Sequence, residues 1–402
     1  MIPRRRAMVR AWAGLAAFCG LALLAACNSN KTVEPPAELT RFEATARLQK
    51  VWSANVGGGE PKLRLGLGVA LDGNAVFAAG HDGDIAAYDL QTGKRLWQTQ
   101  TKLPLSGGPG AGEGVVVAGA SHGDLIALDA ATGAVKWKTH INSELLSQPA
   151  IADGVVALRA VDGRLLLLRL TDGSQIWAAE QQVPRLSLRG TGSPVIAGGV
   201  AVSGFDNGRV MALNVADGTT AWEATVAPPS GRTELERLVD IDSAARVADD
   251  DVYAVTYQGR IARLARDSGQ LWWTRDLSSY SGLALDDDAV YVSTSEGTVV
   301  KIGRRTGVEM WRQEALARRR LSAPAALGEW VAVGDLDGYV HLLDAASGAF
   351  AARLQASGGA FTAAPVTGGG MAIFMDNGGR ITALRAVALT PRSGKPAPAA
   401  AG

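Results

Sequence analysis

Short apolar stretches alternate with glycine-centred turns along most of the chain, in units of about forty residues. Each unit contains a turn such as HDGD, an apolar stretch such as IAAYDL, a second turn such as QTG and a short run that ends at a tryptophan. Asp-Gly and Asn-Gly favour tight hairpins because glycine adopts positive φ without a Cβ penalty. Two turns delimit three strands, and a stretch such as SQPAI introduces a fourth.

The two turns and the tryptophan follow a fixed spacing, Gly-x9-Gly-x3-Trp. The copies are Gly83, Gly93, Trp97; Gly123, Gly133, Trp137; Gly163, Gly173, Trp177; Gly208, Gly218, Trp222; Gly259, Gly269, Trp273; and Gly297, Gly307, Trp311. A further copy has Gly338 and Gly348 but Ala352 in place of the tryptophan. Four antiparallel strands in a repeat of this length are typical of a β-propeller blade.

The chain ends are predicted to share the last blade. A partial unit at residues 361–385 lacks its final strand, whereas KVWSANV, Lys50 to Val56, precedes the first unit and carries Trp52. Pairing the two ends closes the ring and leaves no open seam. We therefore predict an all-β fold, an eight-bladed β-propeller over residues 50–385 with four-stranded antiparallel blades, in which residues 50–56 form the outer strand of blade eight.

Seven tryptophans occupy one repeat position, which indicates a structural role rather than ligand stacking. They are Trp52, Trp97, Trp137, Trp177, Trp222, Trp273 and Trp311. Each is a large apolar body with one N–H to satisfy. We expect them to dock adjacent blades together.

The N-terminus reads as a targeting segment. Four arginines in MIPRRRAMVR precede the uncharged stretch Ala11 to Ala26, which is short for a membrane span but typical of a secretory signal. Leu24-Ala25-Ala26-Cys27 resembles the lipobox of bacterial lipoproteins, which implies that Cys27 is lipidated, and Asn28 resembles the residue of lipoproteins sorted to the outer membrane. We predict a signal peptide at 1–26, a lipidated tether at 27–49 and a disordered tail at 386–402; an uncleaved signal anchor is the alternative.

Composition and charge narrow the possible chemistry. The net charge of +1 gives no basic face for nucleic acid. The two cysteines, Cys19 in the signal peptide and Cys27, leave no free thiol for catalysis or metal binding. The four histidines, at 81, 122, 140 and 341, are dispersed, so surface or turn positions are expected rather than metal ligation. We predict no catalytic residue, no metal and no cofactor.

Two insertions interrupt the repeat around blade four. The Trp177–Trp222 and Trp222–Trp273 intervals are 45 and 51 residues, against 38 to 41 in the other units. The first insertion contains LSLRG, whose Leu186 and Leu188 are either part of an inner strand or an exposed docking edge beside Arg189. The second contains Asp240 and Asp242, for which a solvated or turn-capping pair and a Ca²⁺ site are the alternatives. Loops on a rigid scaffold are where binding usually resides.

The lipobox, the eight Trp-docked units, PRLSLRG and ELERLVDIDSAA together resemble the BamB family, lipoproteins of the outer-membrane β-barrel assembly machinery. The resemblance covers essentially the whole chain after the signal peptide. It implies a non-enzymatic scaffold, lipid-anchored in the outer membrane and facing the periplasm, that binds the POTRA domains of BamA within the Bam complex. The contact residues it implies are Leu186, Leu188, Arg189, Asp240 and Asp242. The sequence also permits direct pairing with unfolded outer-membrane proteins.

Two other functions remain open. The same propeller type houses pyrroloquinoline quinone dehydrogenases, but this chain has no vicinal cysteine pair and little connecting chain for a cofactor lid. A generic envelope binding platform is the third possibility. We expect neither a nucleic acid nor a small-molecule substrate.

Overall fold

The computed structural model of the protein describes residues 34–58, 65–181, 184 and 192–389. Every element of secondary structure assigned in these ranges is a β-strand. Residues Ala37–Gly402 form one compact unit, and Met1–Pro36 is a second unit of which residues 34–36 are described. Cys27 and the signal-peptide segment lie outside the described residues. The prediction of an all-β fold is confirmed.

The strands form eight sheets, the blades of a propeller. Two strands, β1 (Ala46–Asn55) and β2 (Gly66–Leu67), precede the first blade. Blades one to four are β3 (Val69–Asp72), β4 (Ala75–Ala79), β5 (Asp84–Asp89), β6 (Arg95–Gln100); β7 (Leu105–Gly112), β8 (Val115–Ala120), β9 (Asp124–Asp129), β10 (Val135–His140); β11 (Ala150–Ala152), β12 (Val155–Arg159), β13 (Arg164–Arg169), β14 (Gln175–Glu180); and β15 (Val195–Ala197), β16 (Val200–Gly204), β17 (Arg209–Asn214), β18 (Thr220–Thr225).

The remaining blades continue the same order. Blades five to eight are β19 (Arg246–Ala248), β20 (Asp251–Val255), β21 (Arg260–Ala265), β22 (Leu271–Asp276); β23 (Leu283–Leu285), β24 (Ala289–Ser293), β25 (Val299–Gly303), β26 (Glu309–Gln313); β27 (Ala325–Leu327), β28 (Trp330–Gly334), β29 (Tyr339–Asp344), β30 (Phe350–Gln355); and β31 (Val366–Gly368), β32 (Met371–Met375), β33 (Arg380–Ala388), completed by β1. The first strands of successive blades contact one another around the ring, so they line its axis.

The two chain ends close the ring, as the sequence predicts. β1 pairs antiparallel with β33 from Ala46↔Ala388 to Asn55↔Arg380. The strand begins at Ala46, before the predicted start at Lys50, and β33 continues to Ala388, past the predicted end at residue 385. The pairing therefore joins residues more than three hundred positions apart in sequence.

Blade two differs from the predicted four-stranded pattern. The short strand β2 pairs in parallel with β7, through Gly66↔Gly107 and Leu67↔Gly108, and makes this sheet five-stranded. A Cβ atom at Gly66 would lie 1.6 Å from the carbonyl oxygen of Leu146 in the connection to blade three. Only glycine permits this approach, so β2 depends on a backbone contact that hydrophobic periodicity does not encode.

Each repeat tryptophan donates its indole N–H to a carbonyl oxygen in the next blade. The acceptors lie 2.7–3.1 Å away and belong, in order from Trp52 to Trp311, to Leu90, Ala130, Leu170, Val215, Arg266, Arg304 and Ala345. Every acceptor sits in the turn between the third and fourth strands of its blade. The ring also covers the glycine of that turn, where a Cβ would come within 2.5–2.8 Å of the indole. The tryptophan of one unit and the second glycine of the next unit thus form one contact between neighbouring blades.

Ring closure explains why Ala352 replaces the tryptophan in blade seven. Its partner would be the turn between the third and fourth strands of blade eight, but those strands, β33 and β1, come from opposite chain ends. No such turn exists to receive an indole. Ala352 is buried instead in a cluster with Ala46 and Leu48 of β1, which packs directly on blade seven.

An ionic cluster in blade seven includes a buried histidine, contrary to the expected surface or turn position. His341 is fully buried, and its Nε2 lies 2.9 Å from Asp335 Oδ2 while its Nδ1 accepts from Arg353 Nε at 3.0 Å. Asp335 also pairs with Arg319 at 2.7 Å. Both arginines hold the N-terminal segment, because Arg319 donates to the Ala37 carbonyl and Arg353 to the Thr40 carbonyl.

Candidate functional site

The topology places both sequence insertions on one face of the propeller. In antiparallel four-stranded blades, the second-to-third strand turns lie on the same face as the connections between blades. We call this the connection face. Both insertions are connections between blades, the first from Glu180 to Val195 and the second from Thr225 to Arg246. They therefore flank blade four on a single face.

The first insertion is described at its two ends. Gln181 N donates to the carbonyl of Gly163, in the second-to-third strand turn of blade three, at 3.3 Å. At the other end, the hydroxyl of Ser193 accepts from Gln148 N at 2.9 Å. Leu186, Leu188 and Arg189 lie outside the described residues.

The second insertion carries Asp240 and Asp242 in its buried part. Their exposed fractions are 0% and 3%, and neighbouring Val239 and Ile241 are buried as well. The interpretation of a solvated pair is therefore wrong. The reason is tertiary: hydrogen bonds to blades four and five hold the backbone of this segment, and residues on both sides of its alternating pattern are buried. Both aspartates have interaction partners in the protein.

Backbone hydrogen bonds fix the segment that contains the two aspartates. Ile241 N donates to the carbonyl of Phe205 in blade four at 3.3 Å, and the Asp240 carbonyl accepts from Tyr257 N in blade five at 2.8 Å. The Ile241 side chain packs on Gly204, where a Cβ would lie 2.2 Å from its Cγ2. The segment is thus tied to the turns of two blades.

The two insertions touch each other. A Cβ at Gly192, the last part of the first insertion, would lie 2.6 Å from the carbonyl oxygen of Ile241 in the second. This close backbone approach joins the two segments that the sequence singled out. The described end of the first insertion therefore contacts the buried part of the second insertion.

A buried ion pair supports this region from blade three. Arg159 Nη2 lies 2.9 Å from Asp206 Oδ1, and both side chains are buried. The same guanidinium lies over the ring of Phe205, 4.6 Å from its centroid. Burial raises the pKa of Asp206, and the charge of Arg159 opposes this effect. Because Phe205 accepts the bond from Ile241, the pair links blade three to the second insertion.

One exposed residue of the second insertion was missed from the sequence. Leu235 has an exposed fraction of 65% and lies on a turn at residues 234–237. The signal for the turn is present as Thr233-x-x-Glu236, a capping-box pattern, although no helix follows it. Glu236 Oε2 accepts from Arg232 N at 2.7 Å and from Thr233 N at 3.1 Å.

Within the ranges that the structure covers, no three or more His, Cys, Asp or Glu side chains are grouped so that they could hold a metal ion. The same ranges contain no helix long and apolar enough to cross a membrane. On the connection face, the second insertion exposes Leu235 among charged residues that include Arg232, Glu234 and Arg237.

The family model and a relative of known name carry the same description. The family model described as outer membrane protein assembly factor BamB matches residues 81–313 and 295–391. The outer membrane protein assembly factor BamB of Pseudomonas aeruginosa is 45% identical over 370 residues, 92% of this chain and 97% of that protein.

Solved structures share the propeller. The crystal structure of BamB from Moraxella catarrhalis has a TM-score of 0.77 at 29% identity and covers 84% of this chain and 99% of that chain. The quinohemoprotein alcohol dehydrogenase of Comamonas testosteroni has a TM-score of 0.65 at 15% identity, covering 87% and 78% of the two chains, which is a likeness of fold alone.

Proposed function

Because the chain belongs to the BamB family of outer membrane protein assembly factors, we propose that it is a non-enzymatic scaffold that binds the POTRA domains of BamA. In this role it promotes the folding and insertion of β-barrel proteins at the outer membrane. A closed ring of blades suits the task because loops on a stiff frame lose little conformational freedom when they bind.

The observation that carries the proposal is the meeting of two insertions on the connection face. Gly192 and Ile241 bring them into contact, and hydrogen bonds to Phe205 and Tyr257 hold the second insertion between blades four and five. We assign the direct partner contact to Leu186, Leu188 and Arg189, which the family resemblance implies. Apolar side chains beside an arginine match the composition of protein interfaces.

Asp240 and Asp242 have a different part in the proposal. Their burial keeps both carboxylates away from any partner surface in this conformation. They act as positioning residues, because they belong to the segment that fixes the second insertion against the first. Replacing either residue is expected to disturb the packing that positions the docking surface.

The lipid anchor belongs to the same proposal. We assign the anchor to Cys27 and place the protein at the outer membrane, facing the periplasm. A diacylated or triacylated cysteine binds a bilayer stably, since each buried methylene contributes about 0.8 kcal/mol and a single chain is marginal. The anchor would keep the scaffold close to the partner in the membrane.

Quinone-dependent oxidation does not fit the described residues. That chemistry needs a Ca²⁺ cage and a general base beside the quinone. Asp240 and Asp242, the pair that the sequence offered, lie buried between blades with no third acidic, histidine or cysteine residue grouped with them in the described chain. The shared propeller therefore carries no argument for a dehydrogenase.

Co-purification from membranes tests the proposal. The full chain and its Cys27→Ser variant are expressed with an affinity tag, and the detergent extract is probed for BamA. The proposed function predicts that BamA co-purifies with the full chain. It also predicts that less of the variant is recovered in the membrane fraction, because only binding to BamA then holds it there. A chain that is anchored but purifies without BamA would instead be a generic envelope platform.

A further inference from the structure

The rim of the propeller exposes a group of apolar side chains where blades five and six meet. The fourth strands of the blades form this rim. β22 of blade five and the chain at the start of β26 of blade six carry four large apolar side chains with exposed fractions of 41% to 57%. We call them the rim patch: Leu271, Trp272, Val308 and Met310. The fourth strands of blades three and four, which the structure describes in full, carry no large apolar side chain exposed to this degree.

Contacts between the two blades hold the rim patch together. Trp273 of blade five docks on the turn of blade six at Gly307, where a Cβ would lie 2.7 Å from the indole. Trp272 and Val308 are the chain neighbours of these two residues, so they flank the contact. Arg275 Nε also donates to the Gly307 carbonyl at 2.7 Å. The patch therefore lies on a fixed junction and loses little conformational freedom on binding.

The charged groups beside the rim patch are paired with one another. The guanidinium of Arg263 lies 5.9 Å from the centroid of the Trp272 ring and pairs with Asp251 at 2.8 Å. Arg312 pairs with Glu309 at 2.7 Å. These pairs leave the patch without a strong charge of either sign. Such a surface suits the boundary between lipid chains and water, where tryptophan rings are common and arginine keeps its charged end in water.

The N-terminal segment leaves the propeller beside the same blades. Ala37 N donates to the carbonyl of Ala317 at 2.9 Å, and Ala317 lies in the connection that follows β26 of blade six. Ala37 is ten positions after Cys27. An acylated Cys27 therefore lies at most about 36 Å from it, whatever path the chain takes. The proposed anchor keeps blade six within this distance of the bilayer.

We propose that the rim patch is a second membrane contact, which rests on the phospholipid surface of the leaflet that holds the anchor. The inference rests on the proposed function, because acylation of Cys27 brings the bilayer within reach. It extends that function by giving the propeller an orientation, with the rim of blades five and six toward the lipid and the connection face open to a partner beside it. Because the anchor makes the contact intramolecular, a patch that binds lipid weakly by itself is held against it.

Quenching of tryptophan fluorescence by brominated phosphatidylcholine tests the contact. The full acylated chain is reconstituted into vesicles of brominated or unbrominated lipid, as the unaltered protein and as Trp272→Phe. Bromine on the acyl chains quenches only indoles that reach them. We expect most of the emission that Trp272→Phe removes to be lost in brominated vesicles. The emission of the docking tryptophans should change little, because they lie between blades.

A matched control places an exposed indole on the opposite side of the ring. Leu96 is 52% exposed on β6, and the junction of blades one and two lies four blades away from the junction of blades five and six. The double variant Trp272→Phe, Leu96→Trp should therefore gain emission that brominated lipid does not quench. Equal quenching at the two positions would overturn the inference, because the propeller would then have no preferred side toward the lipid.

A charged variant tests whether the contact is apolar. Met310→Glu places a carboxylate in the rim patch and should reduce the quenching of Trp272, whereas Leu96→Glu should leave it unchanged. Both side chains are exposed, so neither variant should alter the melting temperature. Unquenched Trp272 in a protein that floats with the vesicles on a density gradient would overturn the inference and leave the anchor intact. Failure of the unaltered chain to float with them would instead defeat the anchor of the proposed function, and this inference with it.

Discussion

The indole nitrogen of Trp137 lies 2.8 Å from the carbonyl oxygen of Leu170, so blade two is fastened to blade three by a buried side chain and a turn. The same relationship recurs from Trp52 to Trp311 around the ring. Each contact combines a large apolar area with a satisfied N–H. Each of these contacts should therefore contribute separately to the stability of the ring.

Truncation of a docking tryptophan should be strongly destabilising. We expect Trp137→Ala to lower the free energy of unfolding by about 3 to 5 kcal/mol, because it leaves a cavity between two blades and removes the hydrogen bond. Urea denaturation followed by far-UV circular dichroism measures the change. Trp272→Ala is the matched control, since Trp272 is 51% exposed at the rim and makes no such contact; a similar loss in both variants would contradict the docking role.

The glycine under each indole should tolerate no side chain. Gly173 has φ of +72°, and a Cβ there would lie 2.5 Å from Trp137. Gly154 has nearly the same φ, +73°, but no atom lies within 4 Å of its Cβ position. Gly154→Ala should cost about 1 kcal/mol from the left-handed conformation alone, and Gly173→Ala should cost clearly more. Equal losses in thermal melts would show that the backbone conformation, not the indole, selects this glycine.

Replacing one partner of the Arg159–Asp206 pair should destabilise the protein, whereas replacing both partners should change its stability little. Arg159→Met leaves a buried carboxylate without its cation, for which we expect a loss of about 3 to 5 kcal/mol. The double variant Arg159→Met, Asp206→Leu should recover most of that loss, because no uncompensated charge remains. Denaturant unfolding of the two single variants and the double variant measures the coupling. Additive losses would contradict a direct buried pair.

His341 should make stability depend on pH. Burial lowers its pKa below the ordinary 6.5, although Asp335 opposes the shift and Arg353 and Arg319 reinforce it. Below about pH 6.5 the unfolded chain therefore binds a proton that the folded chain does not, and stability falls as pH falls, by at most about 1.4 kcal/mol per pH unit. Above that pH the contribution is fully present.

Melting curves between pH 7.5 and pH 5 check this dependence. His341→Gln can donate to Asp335 and accept from Arg353 without titrating, so the decline toward acid should be shallower than in the unaltered protein. His122→Gln, at an exposed turn, should keep the original decline. Parallel curves for the unaltered protein and the His341 variant would rule out this source of acid sensitivity.

The propeller could be predicted from sequence because its repeat is local. Gly173 and the turn around it, and the tryptophan four residues later in each unit, lie close together in the chain, and their spacing persists through the blades. The closing strand was also predictable, since Trp52 stood outside any unit. The reason for Ala352 was not, because it depends on the missing turn in blade eight.

The site was less predictable because contacts between segments distant in sequence, rather than a local pattern, bury its residues. Asp240 and Asp242 alternate with Val239 and Ile241 as they would on a half-exposed strand, yet all four are buried. Likewise, β2 is set by a glycine contact with the connection to blade three. His341 is buried beside Asp335 and Arg353, and Asp335 pairs in turn with Arg319. None of these contacts leaves a periodic signal.

The most direct test of the scaffold is the binding of the full chain to the POTRA region of BamA, compared with a Leu186→Ala, Leu188→Ala double variant, with melting curves for both. Burying one leucine contributes about 1.5 to 3 kcal/mol. The account predicts that affinity falls by that order or more while the melting temperature stays unchanged. A lower melting temperature with unchanged affinity per folded molecule would contradict it and place both leucines in the blade core.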